Sequence, residues 1–275
     1  MLFLIASGLT LIFGITRIVN FAHGSFYMLG AFLTYQTMPY LAPDTAGGFA
    51  LAVLVAAVTV AVLGMAFEVL VLRRIYGADD SLQLIITLAL VLVIRDVVRA
   101  IWGPSNVTVP MPADLSGALQ VGGSYFPVFQ LVVFGMGLVV VLLMIAAIRY
   151  TRAGILLRAA ADDRGMVALL GINQARIFTG VFTAGCFLAG LAGGLAAPFG
   201  NVNYLLDTTV IVMAFIVVVI GGLGNLYGAL AAALGVGVMK GIGVLYFPRL
   251  SMVLIFLIMA GVLVLRSMGR AGVSK

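Results

Sequence analysis

Long apolar runs separated by short polar breaks make up nearly the whole chain. Most of these runs are close to the roughly 20 residues that a helix needs to cross the hydrocarbon core of a bilayer. The pattern therefore predicts an all-α integral membrane protein, a polytopic bundle of about eight or nine transmembrane helices. We assign all residues, 1–275, to this single transmembrane domain. The predicted spans are 1–16, 24–41, 49–72, 81–101, 127–148, 176–198, 208–222, 226–246 and 250–266.

Composition narrows the class of protein. Hydrophobic residues make up 64% and charged residues 9% of the chain, and the mean hydropathy is +1.26. Globular domains carry about 25% charged residues, so a soluble protein is excluded. The net charge of +6 is spread over the breaks between apolar runs, with no basic and aromatic surface. This distribution excludes a nucleic-acid partner and leaves the lipid bilayer as the surroundings.

Residue types that carry chemistry are scarce. One histidine, His23, and one cysteine, Cys186, leave no His- or Cys-based metal site, so we expect no metal and no cofactor. The chain has no G-x-x-x-x-G-K-[ST] phosphate loop, and any ATP hydrolysis that drives it must take place on another protein. It also lacks H-E-x-x-H and G-x-S-x-G motifs. These features argue against an enzyme.

Basic residues fall in alternate breaks, which predicts the orientation of the chain. The positive-inside rule places 73–80, 149–175 and the C-terminus in the cytoplasm. The gaps 42–48, 103–126 and 199–207 contain no basic residue and are predicted to be external, with the N-terminus outside if there are nine crossings. The gap 103–126 is the longest external loop, and its prolines and glycines favour a short ordered cap. The basic residues that set the orientation are Arg17, Arg73, Arg74, Arg149, Arg152, Arg158, Arg164, Arg176, Arg266, Arg270 and Lys275.

One polar segment stands out on the predicted cytoplasmic side. Within 149–175, the stretch 158–173 reads RAAADDRGMVALLGIN, in which charges precede a short amphipathic run and a glycine. We expect a short helix outside the hydrocarbon that ends at Gly171, because glycine tolerates left-handed backbone angles. Such a helix offers a binding surface to another protein. The residues that define it are Arg158, Asp162, Asp163, Arg164, Leu169, Leu170 and Gly171.

Three charged residues lie late in the fourth run, where charge is costly unless it faces water, protein or the interface. Arg95 and Arg99 can extend to the outer interface, and Asp96 can pair with either of them. The alternative is a role at the external mouth of a pathway.

Two further charges lie in predicted spans. Glu68 is close to the arginines that follow the third run, which favours pairing at the interface over a pathway role. Lys240 is deeper and is flanked by Gly237, Gly241 and Gly243. Pairing inside the bundle and lining a route explain Lys240 equally well.

Two polar breaks interrupt apolar sequence, from Ile18 to Ser25 and from Gly221 to Gly228. Each follows an apolar run, has an asparagine a few residues before a glycine, and leads into Gly/Ala-rich sequence. Paired breaks in the two halves of a transporter indicate discontinuous helices near the substrate path. Ordinary turns between helices explain them equally well. The resulting candidates for a translocation path are Asn20, Phe21, His23, Gly24, Gly221, Gly222, Gly224, Asn225 and Lys240.

Four segments resemble the high-affinity branched-chain amino acid permeases of ABC importers, the LivH type. In chain order they are GLTLIFGITRIVNFAHGSFYMLGAF (8–32), RAAADDRGMVALLGINQARIF (158–178), AGLAGGLAAPFG (189–200) and VVVIGGLGNLYGALAAALGVGV (217–238). The resemblance extends over nearly the whole chain. It is less specific for the substrate, because related permeases carry urea or short amides. The chain starts later than the family usually does, inside the first helix.

The resemblance implies a subunit of the bacterial inner membrane that pairs with a second homologous permease. Two cytoplasmic ATP-binding subunits and an external, periplasmic solute-binding protein would complete the importer. It also implies that the first and second signatures lie near the translocation route. By the same resemblance, the ATPase contact would involve Asp162, Arg164, Leu169, Leu170 and Gly171.

The mechanism that the resemblance implies is alternating access. Closure of the ATP-binding subunits would move the 158–171 helix, which transmits the movement to the neighbouring spans. Two alternatives remain: a urea or short-amide ABC permease, and an ATP-independent channel for small solutes. The structured cytoplasmic segment 158–173 argues against a simple channel, which has little use for it.

Overall fold

The computed structural model describes residues 1–42, 44–246, 253, 255–257 and 259–264. Most of the predicted span 250–266 lies outside the described residues. So do Arg249 and the C-terminal basic residues Arg266, Arg270 and Lys275.

Long helices follow the predicted spans to within a few residues. They are α1 (Leu2–Thr16), α2 (His23–Thr37), α3 (Ala46–Leu70), α4 (Asp80–Trp102) and α5 (Val128–Tyr150), then α8 (Gln174–Ala196), α9 (Leu206–Gly221) and α10 (Leu226–Tyr246). Two short helices, α6 (Arg152–Asp162) and α7 (Arg164–Leu169), lie between α5 and α8. Single 3₁₀ turns occupy Met38–Tyr40, Leu72–Ile75, Ala113–Leu115 and Ala197–Phe199.

The helices have the length and surface of membrane spans. In the described part of the chain, the helices long and apolar enough to cross a bilayer are Ala46–Ile75, Val128–Tyr150, Gln174–Phe199 and Leu226–Tyr246. Shorter apolar helices include Leu2–Thr16 and Leu206–Gly221. The outward faces of α4 and α5 expose large apolar side chains such as Leu92, Phe134 and Leu143, which suits contact with lipid. The prediction of an all-α polytopic membrane protein is confirmed.

The bundle has two chemically different ends. One end, which we call the basic end, carries Arg17 after α1 and the arginines at the junctions of α3, α5, α6 and α8. At this end the Tyr76 ring packs against Phe178 with ring centroids 5.1 Å apart. The other end, which we call the loop end, carries the connection from α4 to α5. There the Trp102 indole donates a hydrogen bond of 3.1 Å to the Gln36 side chain.

Helix α8 lies at the centre of the bundle, packed against α1, α2 and α3. Its glycines make this approach close enough for backbone contact, as small residues do in membrane helix interfaces. A Cβ at Gly8 would lie 2.7 Å from the Gly185 carbonyl oxygen, and a Cβ at Gly30 would collide with the Gly190 backbone. A Cβ at Gly193 would collide with the carbonyl oxygen of Tyr27. Glycine is therefore required at these crossings.

The loop end is covered by ordered structure, as the sequence predicts for 103–126. Strands β1 (Ala118–Val121) and β2 (Ser124–Pro127) form an antiparallel hairpin, with Ala118 paired to Pro127. Positive φ angles at Gly122 and Gly123 form its two-residue turn. Within the same connection, the backbone of Val107 exchanges hydrogen bonds of 2.9 Å with Val202, before α9. The cap thus holds the chain segment that leads into α9.

Candidate functional site

Helix α2 begins in the middle of the bundle, not at its end. The His23 Nε2 lies 3.0 Å from the Ile5 carbonyl oxygen. Ile5 is three helical turns before the end of α1 at Thr16, which is about 16 Å along the axis. Residues 17–22 therefore run back from the basic end to the middle of the bundle without forming a helix.

The returning segment is stabilised by local hydrogen bonds and burial. Arg17 takes a left-handed conformation (φ 57°) and its N–H donates to the Phe13 carbonyl. The Asn20 side-chain oxygen accepts a hydrogen bond of 3.1 Å from the Ala22 N–H, and both residues are fully buried. Non-helical backbone at membrane depth is tolerated only where protein surrounds it or water fills a cavity. The first sequence break is therefore a true helix discontinuity.

Helix α9 also begins inside the bundle, directly against the start of α2. A Cβ at Gly24 would lie 2.6 Å from the Asp207 carbonyl oxygen and 2.9 Å from the Ile211 Cβ. The preceding helix, α8, ends beside Thr34, since a Cβ at Gly194 would lie 2.6 Å from the Thr34 Oγ1. Thr34 is about 15 Å beyond Gly24 along α2. Residues 197–205 must therefore return from the loop end towards the middle of the bundle.

The two discontinuities have opposite directions. In the pair α1–α2 the chain returns from the basic end, and in the pair α8–α9 it returns from the loop end. The first turns of α2 and α9 meet in the interior. We call this meeting point the junction, defined by His23, Gly24 and Ser25 of α2 with Asp207 and Thr208 of α9. Such half-helix starts near mid-depth are typical of transporter substrate sites.

An ion pair fixes the junction to a third helix. The Asp207 carboxylate is 2% exposed and lies 2.9 Å from the Arg95 Nε. It also accepts a hydrogen bond of 2.9 Å from the Ser25 hydroxyl. Arg95 donates a second hydrogen bond to the Thr208 hydroxyl. These contacts join α2, α4 and α9, and an acid in the first turn of α9 also suits the positive end of that helix dipole.

The expected pairing of Asp96 with Arg95 or Arg99 is wrong. Among the described residues, the ion pairs are Arg95–Asp207 and Arg73–Glu68. Arg99 instead places its guanidinium 5.8 Å from the centre of the Tyr204 ring. The physical reason is burial. Asp207 is buried and Asp96 is exposed, and a buried carboxylate requires a charged partner far more than an exposed one does.

Two polar atoms near the junction have unused hydrogen-bonding capacity. The Asn20 Nδ2 and the His23 Nδ1 are buried and have no hydrogen-bond partner among the described residues. Buried polar groups without a partner are uncommon in folded proteins. They leave two positions in the first break where a further group could be bound.

A cavity of about 530 Å³ lies beside the junction, towards the loop end. Helices α1, α2, α8 and α9 form its walls, and the segment 200–202 and Lys240 of α10 complete it. Its volume is within the range of about 300–1,000 Å³ that is usual for small-molecule sites. Residues that contribute to its lining include Ile5, Tyr27, Ala31, Leu206, Thr209, Val210 and Met213.

The second sequence break forms a tight turn between α9 and α10 at the basic end. Gly222 and Gly224 have φ angles of 97° and 82°, and the Asn225 side chain accepts a hydrogen bond of 3.0 Å from the Gly228 N–H. A Cβ at Gly14, near the end of α1, would lie 3.0 Å from the Gly224 Cα. The structural counterpart of the first break is therefore 197–205, and Gly221 to Asn225 form a turn.

The predicted path residues consequently fall into three places. Asn20, His23 and Gly24 lie at or next to the junction, and the Phe21 ring contacts Phe215 of α9 with centroids 5.1 Å apart. Lys240 lines the cavity. The third group, Gly221, Gly222, Gly224 and Asn225, lies at the basic end. That all of these residues lie along a translocation path stays a prediction.

The single short helix expected over 158–171 is wrong: the basic end carries two short helices there, α6 and α7, because Asp163 takes an extended conformation. Asp163 separates them and caps α7 by accepting a hydrogen bond of 3.0 Å from the Met166 N–H. Gly171 has a φ of 75°, which matches the expected stop. Leu169 and Leu170 are 84% and 70% exposed. Arg158 donates a hydrogen bond to the Ile148 carbonyl and so holds α6 to α5. Asp162 is the last residue of α6 and is exposed. The side chain of Arg164 lies outside the described residues.

A polar cluster connects the start of α8 to the end of α3. The buried Glu68 carboxylate accepts hydrogen bonds of 2.7 Å from the Thr179 hydroxyl and 2.9 Å from the Tyr76 hydroxyl. Arg73 lies 3.4 Å from the same carboxylate, which confirms the predicted pairing of Glu68 with a neighbouring arginine. Burial and the hydrogen bond to Glu68 raise the pKa of Tyr76, so its hydroxyl remains a proton donor.

Sequence reasoning missed Asp207, Ser25 and Tyr27. Asp207 was one residue of a gap notable only for having no basic residue. A usable signal was its position at the start of an apolar run, together with an arginine in another run that needed a partner. No periodicity or motif connects residues that are 112 positions apart, as Arg95 and Asp207 are.

This arrangement defines the class of protein: a polytopic membrane bundle with discontinuous helices around an interior cavity is the architecture of a transport protein. A family model described as branched-chain amino acid transport system / permease component matches residues 1–263. The chain belongs to this family.

Individual relatives agree with the family match. The chain is 30% identical to the high-affinity branched-chain amino acid transport system permease protein LivH of Salmonella typhimurium, over 88% of the chain and 82% of that protein. It is 29% identical to LivH of Escherichia coli strain K12 over the same shares. It is 28% identical to BraD of Pseudomonas aeruginosa, covering 87% of the chain and 81% of that permease. No solved structure matches the chain significantly.

Proposed function

We propose that this protein is the permease subunit of an ATP-driven importer of branched-chain, hydrophobic amino acids. The observation that carries the proposal is the family match over residues 1–263. Its relatives LivH and BraD are named as branched-chain amino acid transport permeases. The cavity beside the junction supports a small-solute route through the bundle, because it has suitable volume and mostly apolar walls.

The partners in this proposal are a second homologous permease, two cytoplasmic ATP-binding subunits and an external solute-binding protein. The basic end then faces the cytoplasm of a bacterial cell with the C-terminus on the same side, in accordance with the positive-inside rule. Helix α7 supports an ATPase contact there, because Met166, Leu169 and Leu170 are exposed apolar side chains outside the long spans. Exposed apolar clusters of this kind are typical of protein interfaces.

Transmission from α7 to the bundle has a physical route. Helix α7 is followed after a short link by α8, whose Thr179 is hydrogen bonded to Glu68 of α3. Further along, α8 is in backbone contact with α2 through Gly190 and Gly30. A movement of α7 would therefore reach the junction through one continuous helix, which is the basis for alternating access in this protein.

The test uses the effect of Leu169→Asp on subunit assembly. Because Leu169 is 84% exposed, the substitution should leave the bundle folded and remove only the apolar contact. The tagged protein, purified from gently solubilised native membranes, should retain an ATP-binding subunit and a second permease. In the Leu169→Asp variant we expect at least a tenfold loss of the ATP-binding subunit and of ATP-driven leucine uptake in reconstituted vesicles.

The matched control is Tyr40→Asp, a change at the loop end where Tyr40 is 80% exposed. It should retain both the ATP-binding subunit and leucine uptake. If the wild-type protein purifies alone and its vesicles pass urea without ATP, the protein is a channel and the proposal is wrong. Coupled uptake of urea or short amides, without leucine uptake, would support an importer but refute its substrate.

A further inference from the structure

Lys240 is the one charged side chain among the described residues that line the cavity. It lies about 21 Å from the start of α10, at the level of the first turn of α9. No described residue forms an ion pair with it. The Lys240 side chain is exposed where it borders the cavity. A cation on a membrane-spanning helix is costly unless water or an anion reaches it, and such residues usually mark substrate pathways.

The other polar side chains of the cavity are two hydroxyls and the Asn201 amide, whose oxygen already accepts a hydrogen bond from Thr108. Tyr27 is 8% exposed and lines the cavity, and no described residue forms a hydrogen bond with its hydroxyl. Thr209 lies one helical turn after Leu206 on the same face of α9, and it adds a second hydroxyl to the lining. The nearby Asp207 carboxylate is held by Arg95 and Ser25 and does not line the cavity. The described lining thus offers one charged side chain, two hydroxyls and one amide, and no carboxylate.

The remaining wall is apolar and suits a branched hydrocarbon group. Ile5, Val210 and Met213 line it, and Ala31 leaves space between them. Apolar walls with a few polar groups are the usual composition of a small-molecule site, in which the polar groups orient the ligand. The charge of the lining selects an anionic group, and its walls select an apolar side chain.

We propose that this cavity binds the solute during transport and that Lys240 recognises its carboxylate. The Tyr27 and Thr209 hydroxyls bind the polar end, and the apolar wall takes the side chain. The inference rests on the proposed function and sharpens it. The site accepts apolar compounds with a free carboxylate and rejects their amides and urea, because an amide gains no ion pair with the ammonium group.

The first measurement compares Lys240 variants in the complete importer. Lys240→Gln should raise the KM for leucine uptake at least tenfold, while Lys240→Arg, which keeps the cation, should remain within about threefold of the wild type. All variants are first checked for assembly with the second permease. A Lys240→Gln importer with wild-type KM would overturn the proposal, because the cation would then not contact the solute.

The second measurement restores the charge chemically. Lys240→Cys should be as impaired as Lys240→Gln, and a methanethiosulfonate that attaches an ethylammonium group should recover at least half of the uptake. A methanethiosulfonate that attaches an ethylsulfonate group, and so a negative charge, should not recover the uptake. The reaction forms a mixed disulfide between the cysteine sulfur and the reagent, with the sulfinate as leaving group. The native Cys186 is fully buried, so it should not compete.

The matched control is Leu234→Cys, on α10 but outside the cavity and 57% exposed. Neither reagent should change its uptake. Leucine should slow the modification of Lys240→Cys, and leucinamide should not. Equal rescue by both reagents, or no protection by leucine, would overturn the inference.

A failure of the proposed function would look different. In that case the wild-type importer would not transport leucine. The protection measurement still decides the role of the cavity, because it compares a carboxylate with its amide and needs no transport. Protection by the amide as strong as that by the carboxylate would refute recognition by Lys240.

Discussion

The junction and the α6–α7 segment are opposite kinds of structure within one chain. At the junction, Asp207 is held by Arg95 and Ser25, and glycines bring α2 and α9 into backbone contact. In α7, Val167 is buried at 2% exposure, while Leu169 and the following Leu170 project into the surroundings. The packing of the junction is determined by its contacts within the chain. The surface helix has a defined backbone, but contacts within the described part of the chain leave its apolar face uncovered.

This difference predicts that substitutions at the two places change different observables. Changes at the junction and around α8 should reduce the stability of the bundle. Changes in α7 should leave that stability almost unaltered and affect assembly or coupling. The following variants test this division.

The largest effect is expected from Gly30→Ala. Its new Cβ would collide with the Gly190 backbone, which cannot move without displacing α8. Overpacking typically costs about 1–3 kcal/mol and more where backbone is the obstacle, so we expect little monodisperse protein in detergent. The control is Gly180→Ala on α8, where nothing lies within 4 Å of the new Cβ. It should fold normally, since alanine is the better helix former. Normal yield of Gly30→Ala would contradict the close crossing.

An intermediate effect is expected from Asp207→Asn. The change leaves the Arg95 guanidinium without its buried partner. Because Arg95 is 24% exposed, the cost should stay below the roughly 3–5 kcal/mol that is typical of a fully buried charge. We expect a lower midpoint of thermal unfolding in detergent. The double variant Arg95→Met/Asp207→Asn should recover part of the loss, because it removes the unpaired charge as well. If the double variant loses as much stability as Asp207→Asn and Arg95→Met lose together, the ion pair is not formed.

The smallest effect on the bundle is expected at Gly171. Its left-handed backbone disfavours residues with a Cβ by roughly 1–2 kcal/mol, but asparagine tolerates this conformation. Gly171→Asn should behave like the wild type. Gly171→Arg should insert normally and lower the unfolding temperature of the bundle only slightly, because the strain is confined to an exposed segment between α7 and α8. It should nevertheless lose ATP-coupled uptake. Normal uptake by Gly171→Arg would remove the coupling role from this turn.

Much of the architecture could be predicted because hydropathy reports membrane spans directly. Helices α3, α5 and α10 begin and end within a few residues of the predicted runs. A short helix with a stop at Gly171 was predicted from a charge cluster and a glycine, and the left-handed Gly171 is present. The cap at Asp163, which divides the segment into α6 and α7, was not predicted. Local signals such as these need no knowledge of tertiary structure.

The junction could be predicted only in part. Asn20 and Gly24 identified the first discontinuity, but the sequence paired it with the Gly221–Gly228 break because both contain Asn and Gly. The actual counterpart, 197–205, does contain a matching run, Val202-Asn203-Tyr204 against Val19-Asn20-Phe21, and each asparagine accepts a hydrogen bond from the N–H two residues later. This short signal was overlooked, and the chain runs through the two segments in opposite directions. The Arg95–Asp207 pair and the cavity depend on how distant helices pack, which no local pattern encodes.

The hairpin at the loop end has a practical consequence. Gly122 and Gly123 form its tip, and nothing lies within 4 Å of either Cβ position. Exposed loop tips of this kind accept inserted sequence well. An epitope tag placed between these two glycines would leave every helix contact intact. It would provide both a purification handle and an antibody target on a single side of the membrane.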